Sequence, residues 1–147
     1  MSEMPAIKAV TLLCDAAQQI GGKLYILGGG WSRLWTSGPV SFALAIKLLV
    51  PWLLANDQLR LEIALLDEDA RPVADQSGQA IRVDANLEVG RPPGVRKGTS
   101  LDVPLVVPLE GVPLDPGFYR WEVKVNQELV DAVTFEVLAA GGQGAPQ

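Results

Sequence analysis

The sequence predicts an all-β domain of two antiparallel sheets packed face to face, and three observations carry the prediction. Apolar and polar residues alternate with period two in several separate stretches, and successive side chains of a strand face opposite sides of a sheet. The 15 glycines and 11 prolines are scattered between those stretches, as the turns of a many-stranded fold require. No convincing long helix and no internal repeat interrupts the pattern. The clearest case runs from Leu114 to Val137: after the turn residues Pro116-Gly117, Tyr119, Trp121, Val123 and Val125 alternate with Arg120, Glu122 and Lys124. Asn126-Gln127 marks the next turn, and Leu129, Val133, Phe135 and Val137 then alternate with Glu128, Thr134 and Glu136. This is a hairpin with one face buried and one face wet.

In chain order, Ile7 to Cys14 carries apolar side chains on both faces and predicts a strand covered on both sides. Asp15 to Gly22 predicts a connection, with Asp15 to Gln19 fitting a helical turn and Gly21-Gly22 a tight one. Lys23 to Leu27 is the next strand. Gly28-Gly29-Gly30 breaks it, and Trp31 to Trp35 continues it after a bulge or bend. Val40 to Val50 places Phe42, Leu44, Ile46, Leu48 and Val50 on one face, a strict period of two that outweighs its good helix formers. Leu59 to Leu65 repeats the pattern, Asp67 to Arg71 turns, and Pro72 restarts an extended segment. Ile81 to Val89 is a clean strand, followed by a polar, mobile loop from Arg91 to Ser100. Leu101 to Leu109 alternates with Pro104 and Pro108 on its other face, and proline cannot donate to a ladder, so it belongs at an edge or has its prolines at non-paired positions. About eight or nine strands result. Two packed sheets in an immunoglobulin-like arrangement are the economical architecture, and Pro116-Gly117-Phe118-Tyr119 fits the start of a late strand in such sandwiches, where the tyrosine ties a corner to the backbone. Residues 1–140 form the expected domain, and Gly141 to Gln147 an expected disordered tail with nothing to bury.

Composition bounds the function. A chain of 147 residues suits one domain, and 48% apolar with 20% charged residues is a globular profile. The net charge of −5 and the lack of a basic stripe argue against nucleic acid as a partner. Residues 1–10 do not read as a signal peptide. The longest apolar segment, Val40 to Ala55, contains Lys47 and Pro51 and is too short to span a bilayer. A cytoplasmic setting, away from membranes, is the default expectation.

Three segments together resemble a known family. Cys14 to Gln18 followed by Gly22 to Gly29 (GKLYILGG) resembles a DxA…GKLxxxG opening. Leu59 to Val73 (LRLEIALLDEDARPV) is similar to an LLDEDGxPV-like strand and turn, and Val112 to Glu128 to a PxPGxY…VDGE-like hairpin. These are features of a widespread family of small bacterial single-domain proteins of unknown function. The resemblance covers nearly the whole chain and implies a single sandwich domain, with no assigned activity and no site residues to carry over. Asn126-Gln127 stands where the pattern has aspartate-glycine, and Ala70 where glycine is usual.

Chemistry-bearing residues are sparse. There is no histidine, which removes the usual triads, the usual base near neutral pH and the commonest metal ligand. The lone Cys14 ends an apolar run and has no activating neighbour, so it reads as a buried thiol. Gly28-Gly29-Gly30 lacks the lysine and hydroxyl residue of a phosphate loop and reads as a bend that lets the chain change sheets. Asp67, Glu68, Asp69 and Asp75 are the one candidate for a cation site, against an ordinary role in turns. Trp31, Trp35 and Trp52 lie near loop ends and pack either in the core or on a surface that stacks on sugars or protein. Arg91 and Arg96-Lys97 make a small solvated basic loop. No catalytic, cofactor or metal residue is assigned. The expectation is a noncatalytic module that binds protein or its own copies, a homodimer among the outcomes; the alternative is a ligand or carbohydrate module using the tryptophans, and an enzyme is least expected.

Overall fold

The computed structural model describes residues 6–141, so apart from Gly141 the expected disordered tail lies outside the described residues. Nine strands form among them: β1 (Lys8–Ile20), β2 (Lys23–Gly29), β3 (Arg33–Thr36), β4 (Val40–Val50), β5 (Gln58–Asp67), β6 (Arg82–Glu88), β7 (Leu101–Val112), β8 (Gly117–Val125) and β9 (Glu128–Ala139). A 3-10 turn at Trp52–Leu54 is the one helical element among the described residues. The strands build a four-stranded sheet in the order β2-β1-β4-β7 and a five-stranded sheet in the order β3-β9-β8-β5-β6. The two sheets pack on each other as an all-β sandwich.

Period-two patterning decides which faces meet. Phe42, Leu44, Ile46, Leu48 and Val50 of β4 are buried, and Leu59, Leu61, Ile63 and Leu65 of β5 and Tyr119, Trp121, Val123 and Val125 of β8 are buried opposite them. They form one continuous core with Leu13, Phe135 and Val137. Each such side chain contributes about 1.5–3 kcal/mol relative to leaving it in water, which is why the central strands β4, β5 and β8 anchor the rest. At one end Phe42 and Phe135 meet edge to face with ring centroids 5.4 Å apart, and Tyr119 stacks on Phe135 at 5.6 Å. The Tyr119 hydroxyl donates to the Asp115 carbonyl at 2.6 Å, closing the corner that the Pro-Gly-x-Tyr sequence predicts.

The prolines of β7 behave as expected. The strand pairs with β4 alone and lies at a sheet edge, with Pro104 opposite Lys47 and Pro108 opposite Ala43. The triple glycine marks the change of sheets: β2 belongs to the four-stranded sheet and β3 to the other.

Four expectations are corrected. The segment Asp15–Gln19 is neither a connection nor a helical turn; it continues β1 to Ile20 and pairs with β2. Its first half is not covered on both sides, since Val10 is 58% exposed. The sheets are not wholly antiparallel, because β3 runs parallel to β9. Leu129 points into solvent rather than into the core. The register shifts between Val123 and Lys124, inserting one residue into β9, so the face flips and Val130 packs against the core in its place.

Candidate interaction surface

The feature that distinguishes this sandwich is a ribbon made of the second half of β1 and all of β2. Gly21 and Gly22, at φ +59° and +76°, make the two-residue turn in which both central residues have positive φ. Pairing then runs from Ile20 opposite Lys23 to Cys14 opposite Gly29. The ribbon leaves the plane of its sheet after Cys14. Ala17, Leu24 and Val106 pack against Cys14, Ala43 and Ala45, and Lys23 and Leu24 line a cleft with Lys47, Asp102 and Pro104. The ribbon therefore lies over the outer surface of β4 and β7, forming a second, small core there. Glycines permit the bend. A Cβ on Gly28 would sit 2.2 Å from Asp15 Oδ2, and one on Gly29 2.9 Å from Ile26 Cγ2 and 3.0 Å from Leu12 Cδ2.

One ribbon face is used in this way, and the other faces water. Ile20, Tyr25 and Leu27 are 56%, 53% and 71% exposed, whereas Ile26, opposite Ala17, lies on the covered face and is 37% exposed. Six of the seven β2 residues are exposed. Residues 16–29 carry a single charge, Lys23. The outer face of the five-stranded sheet is the opposite in character. There Arg82 pairs with Asp84 at 2.7 Å and Glu62 at 3.5 Å, Arg60 with Asp84 at 3.7 Å, and Arg120 with Glu122 at 3.0 Å. The Arg82 hydrogen bonds hold Asp84 below the usual carboxylate range. Such exposed pairs contribute little to stability; they make a solvated face.

The other sequence candidates resolve individually. Cys14 is fully buried, its thiol 3.5 Å from the Ala43 carbonyl, and burial, helped by the Asp15 charge, pushes its pKa up. Asp67 Oδ1 accepts the backbone N–H groups of Asp69 and Arg71 at 2.9 and 3.0 Å. Asp75 Oδ1 accepts those of Ser77 and Gln79 and the Ser77 hydroxyl. These carboxylates brace turns, and no three metal-ligating side chains converge among the described residues. The tryptophans do not share a surface. Trp31 packs edge to face on Phe42 and Phe135, Trp35 is half-buried on β3, and Trp52 lies beyond the far end of β4 beneath the Arg91 guanidinium at 4.3 Å. Arg91 also donates to the Trp52 carbonyl at 2.8 Å, so this member of the basic loop has a packing role. Sequence reasoning missed the ribbon. The available signal was a connection without proline, and without charge after Asp15, between two apolar runs.

No helix among the described residues is long and apolar enough to cross a membrane. Residues 9–138 match the model of a family of unknown function, DUF6941. No curated protein matches the chain. A solved structure, Pseudomonas fluorescens alkylpurine DNA glycosylase AlkC bound to DNA containing an abasic site analog, is similar at 12% identity and a TM-score of 0.41, over 90% of this chain and 30% of that one.

Proposed function

The chain belongs to this family of unknown function, DUF6941, and on that premise we propose that it is a noncatalytic protein-interaction module of the cytoplasm. In this reading it is an immunoglobulin-like sandwich that acts by docking protein, with neither nucleic acid nor membrane as partner. One observation carries it: the outward face of the β1–β2 ribbon, where Ile20, Tyr25 and Leu27 stand more than half exposed on a segment with one charge. Solvated apolar surface of that continuity marks interaction sites in folded proteins. The charge-laced face of the other sheet lends support by contrast, because interface centres are depleted of charge. The immunoglobulin-like assignment is supported by the Tyr119 corner. A noncatalytic role is supported by the composition, which offers no histidine, and by the turn-bracing use of the clustered carboxylates.

The test is a tagged pull-down from the native host at low salt, with the wild-type chain beside a Tyr25→Glu, Leu27→Glu double variant of unchanged melting temperature. A stoichiometric protein retained by the wild type and lost by the variant is the expected result. Retention by both would remove the ribbon as the docking surface. A catalytic turnover traced to purified chain would end the noncatalytic reading.

A further inference from the structure

We propose that the occupant of the ribbon is a second copy of this chain, joined by antiparallel pairing of the two β2 strands across a two-fold axis. The inference rests on the interaction-module reading and names its partner. Four strands end the two sheets, and natural edges are guarded by proline, charge or brevity. On β7 the guards are Pro104 and Pro108. β6 alternates Arg82, Asp84 and Glu88 with its apolar residues, and β3 is four residues long. Leu24 to Leu27 of β2 has no such guard.

Backbone accounting sets the register. The two-residue turn makes Ile20 and Lys23 a hydrogen-bonded pair, so Lys23, Tyr25 and Leu27 bond to β1 while Leu24 and Ile26 turn their N–H and C=O groups to the free edge. Pairing Leu24 of one copy with Ile26 of the other satisfies those four groups on each chain. It puts Tyr25 against Tyr25 on the axis and Lys23 opposite Leu27. No like charges meet, although each chain carries a net −5; the repulsion lies elsewhere on the two surfaces. Ile20, Tyr25 and Leu27 on the outward face, with Ile26 on the other side of the edge strand, present on the order of 400 Å² of surface. With Ala16, Gln18 and Lys23 at the rim this comes to roughly 600 Å² per partner, the low end of a specific interface.

Tyr25→Cys tests the pairing directly, because Cys14, the chain's one native cysteine, is fully buried. On the axis, position 25 is a non-hydrogen-bonded pair with Cα atoms about 4.5 Å apart, within disulfide range. Mild oxidation should convert most of this variant to a covalent dimer and leave Leu129→Cys, on another exposed surface, uncrosslinked. Light scattering should give twice the chain mass for the wild type and one chain mass for folded Tyr25→Glu. A wild type that is monomeric at every accessible concentration overturns the copy as occupant; a heterologous partner captured through Tyr25 would leave the module reading standing. A dimer that does not crosslink through position 25, or that survives Tyr25→Glu, overturns the β2 pairing.

Discussion

Removing a single oxygen from the corner of the sandwich gives a sharp test of how the fold is held. Tyr119 is 8% exposed, its ring stacks on Phe135, and its hydroxyl donates to Asp115 at 2.6 Å. Tyr119→Phe keeps the ring and deletes the bond. The Asp115 carbonyl belongs to an exposed residue and can be rehydrated, so the cost is that of a net hydrogen bond, about 1–1.5 kcal/mol, rather than of an orphaned buried group. For a domain of this size that is a fall in melting temperature of about 3–5 °C, read by calorimetry and by denaturant unfolding with an unchanged slope. The pH dependence is more specific. Burial, then the charges of Asp115 and Asp67, raise the phenol's pKa above its ordinary 10.0. Above that pH the unfolded chain loses the tyrosine proton first and binds fewer protons than the folded one, so this contribution to stability falls by about 1.4 kcal/mol per pH unit until the raised folded value is reached. The phenylalanine variant lacks this loss, whereas the buried thiol of Cys14 affects both proteins alike. The stability gap between wild type and variant should therefore narrow as the pH rises above 10.0. A gap that stays constant over that range, or a variant that melts with the wild type, would refute the corner as described.

Three further outcomes are expected. Gln127 and Ala70 hold positive φ, +70° and +60°, and Gln127→Gly and Ala70→Gly should each stabilise by about 0.5–1 kcal/mol; a lower melting temperature for both would contradict the strain argument. Asn126 should not tolerate the same exchange, because its Oδ1 accepts the Arg60 N–H at 2.9 Å while its own N–H donates to the Arg60 carbonyl at 2.8 Å. Gly28→Ala places a Cβ against Asp15 at a positive φ, so it should cost at least about 1–2 kcal/mol and raise amide exchange selectively in β1 and β2. Cys14 should resist a thiol reagent in the native protein and react fully in denaturant; rapid native labelling would show that the ribbon lifts.

The central strands were legible because a single cause sets them. In β4, β5 and β8 every second side chain is large and apolar and its neighbours are mostly small or charged, so only one face can be buried and the period itself names the core. Turn chemistry was legible where glycine or proline forced it, at Gly21-Gly22, at Pro116-Gly117 and in the prolines of β7. The β3–β9 pair was not, since parallel and antiparallel neighbours ask the same of four residues such as Arg33–Thr36. Leu129 misled because one inserted residue reverses a face without leaving a mark in composition.

The ribbon was missed for a different reason, and the reason bears on function. Asp15 to Ile20 has no period and no aromatic residue, and its alanines and glutamines suit a helix better than a strand. It becomes strand because Gly21-Gly22 turns β2 back along it and because Ala17 and Leu24 then cover Cys14, Ala43 and Ala45. Small residues are what allow that close approach; larger ones at 43 and 45 would hold the ribbon away from the sheet. Yet the same arrangement leaves Ile20, Tyr25 and Leu27 facing water, with nothing among the described residues covering them. A sequence selected for folding alone gains nothing from three large apolar side chains there, since Lys, Thr or Gln would pair as well in the ladder and keep the edge apart from other chains. Exchanging all three for threonine should therefore leave the melting temperature within about 2 °C while abolishing association, and a large loss of stability instead would mean that the face is core to this fold rather than a surface kept for a partner.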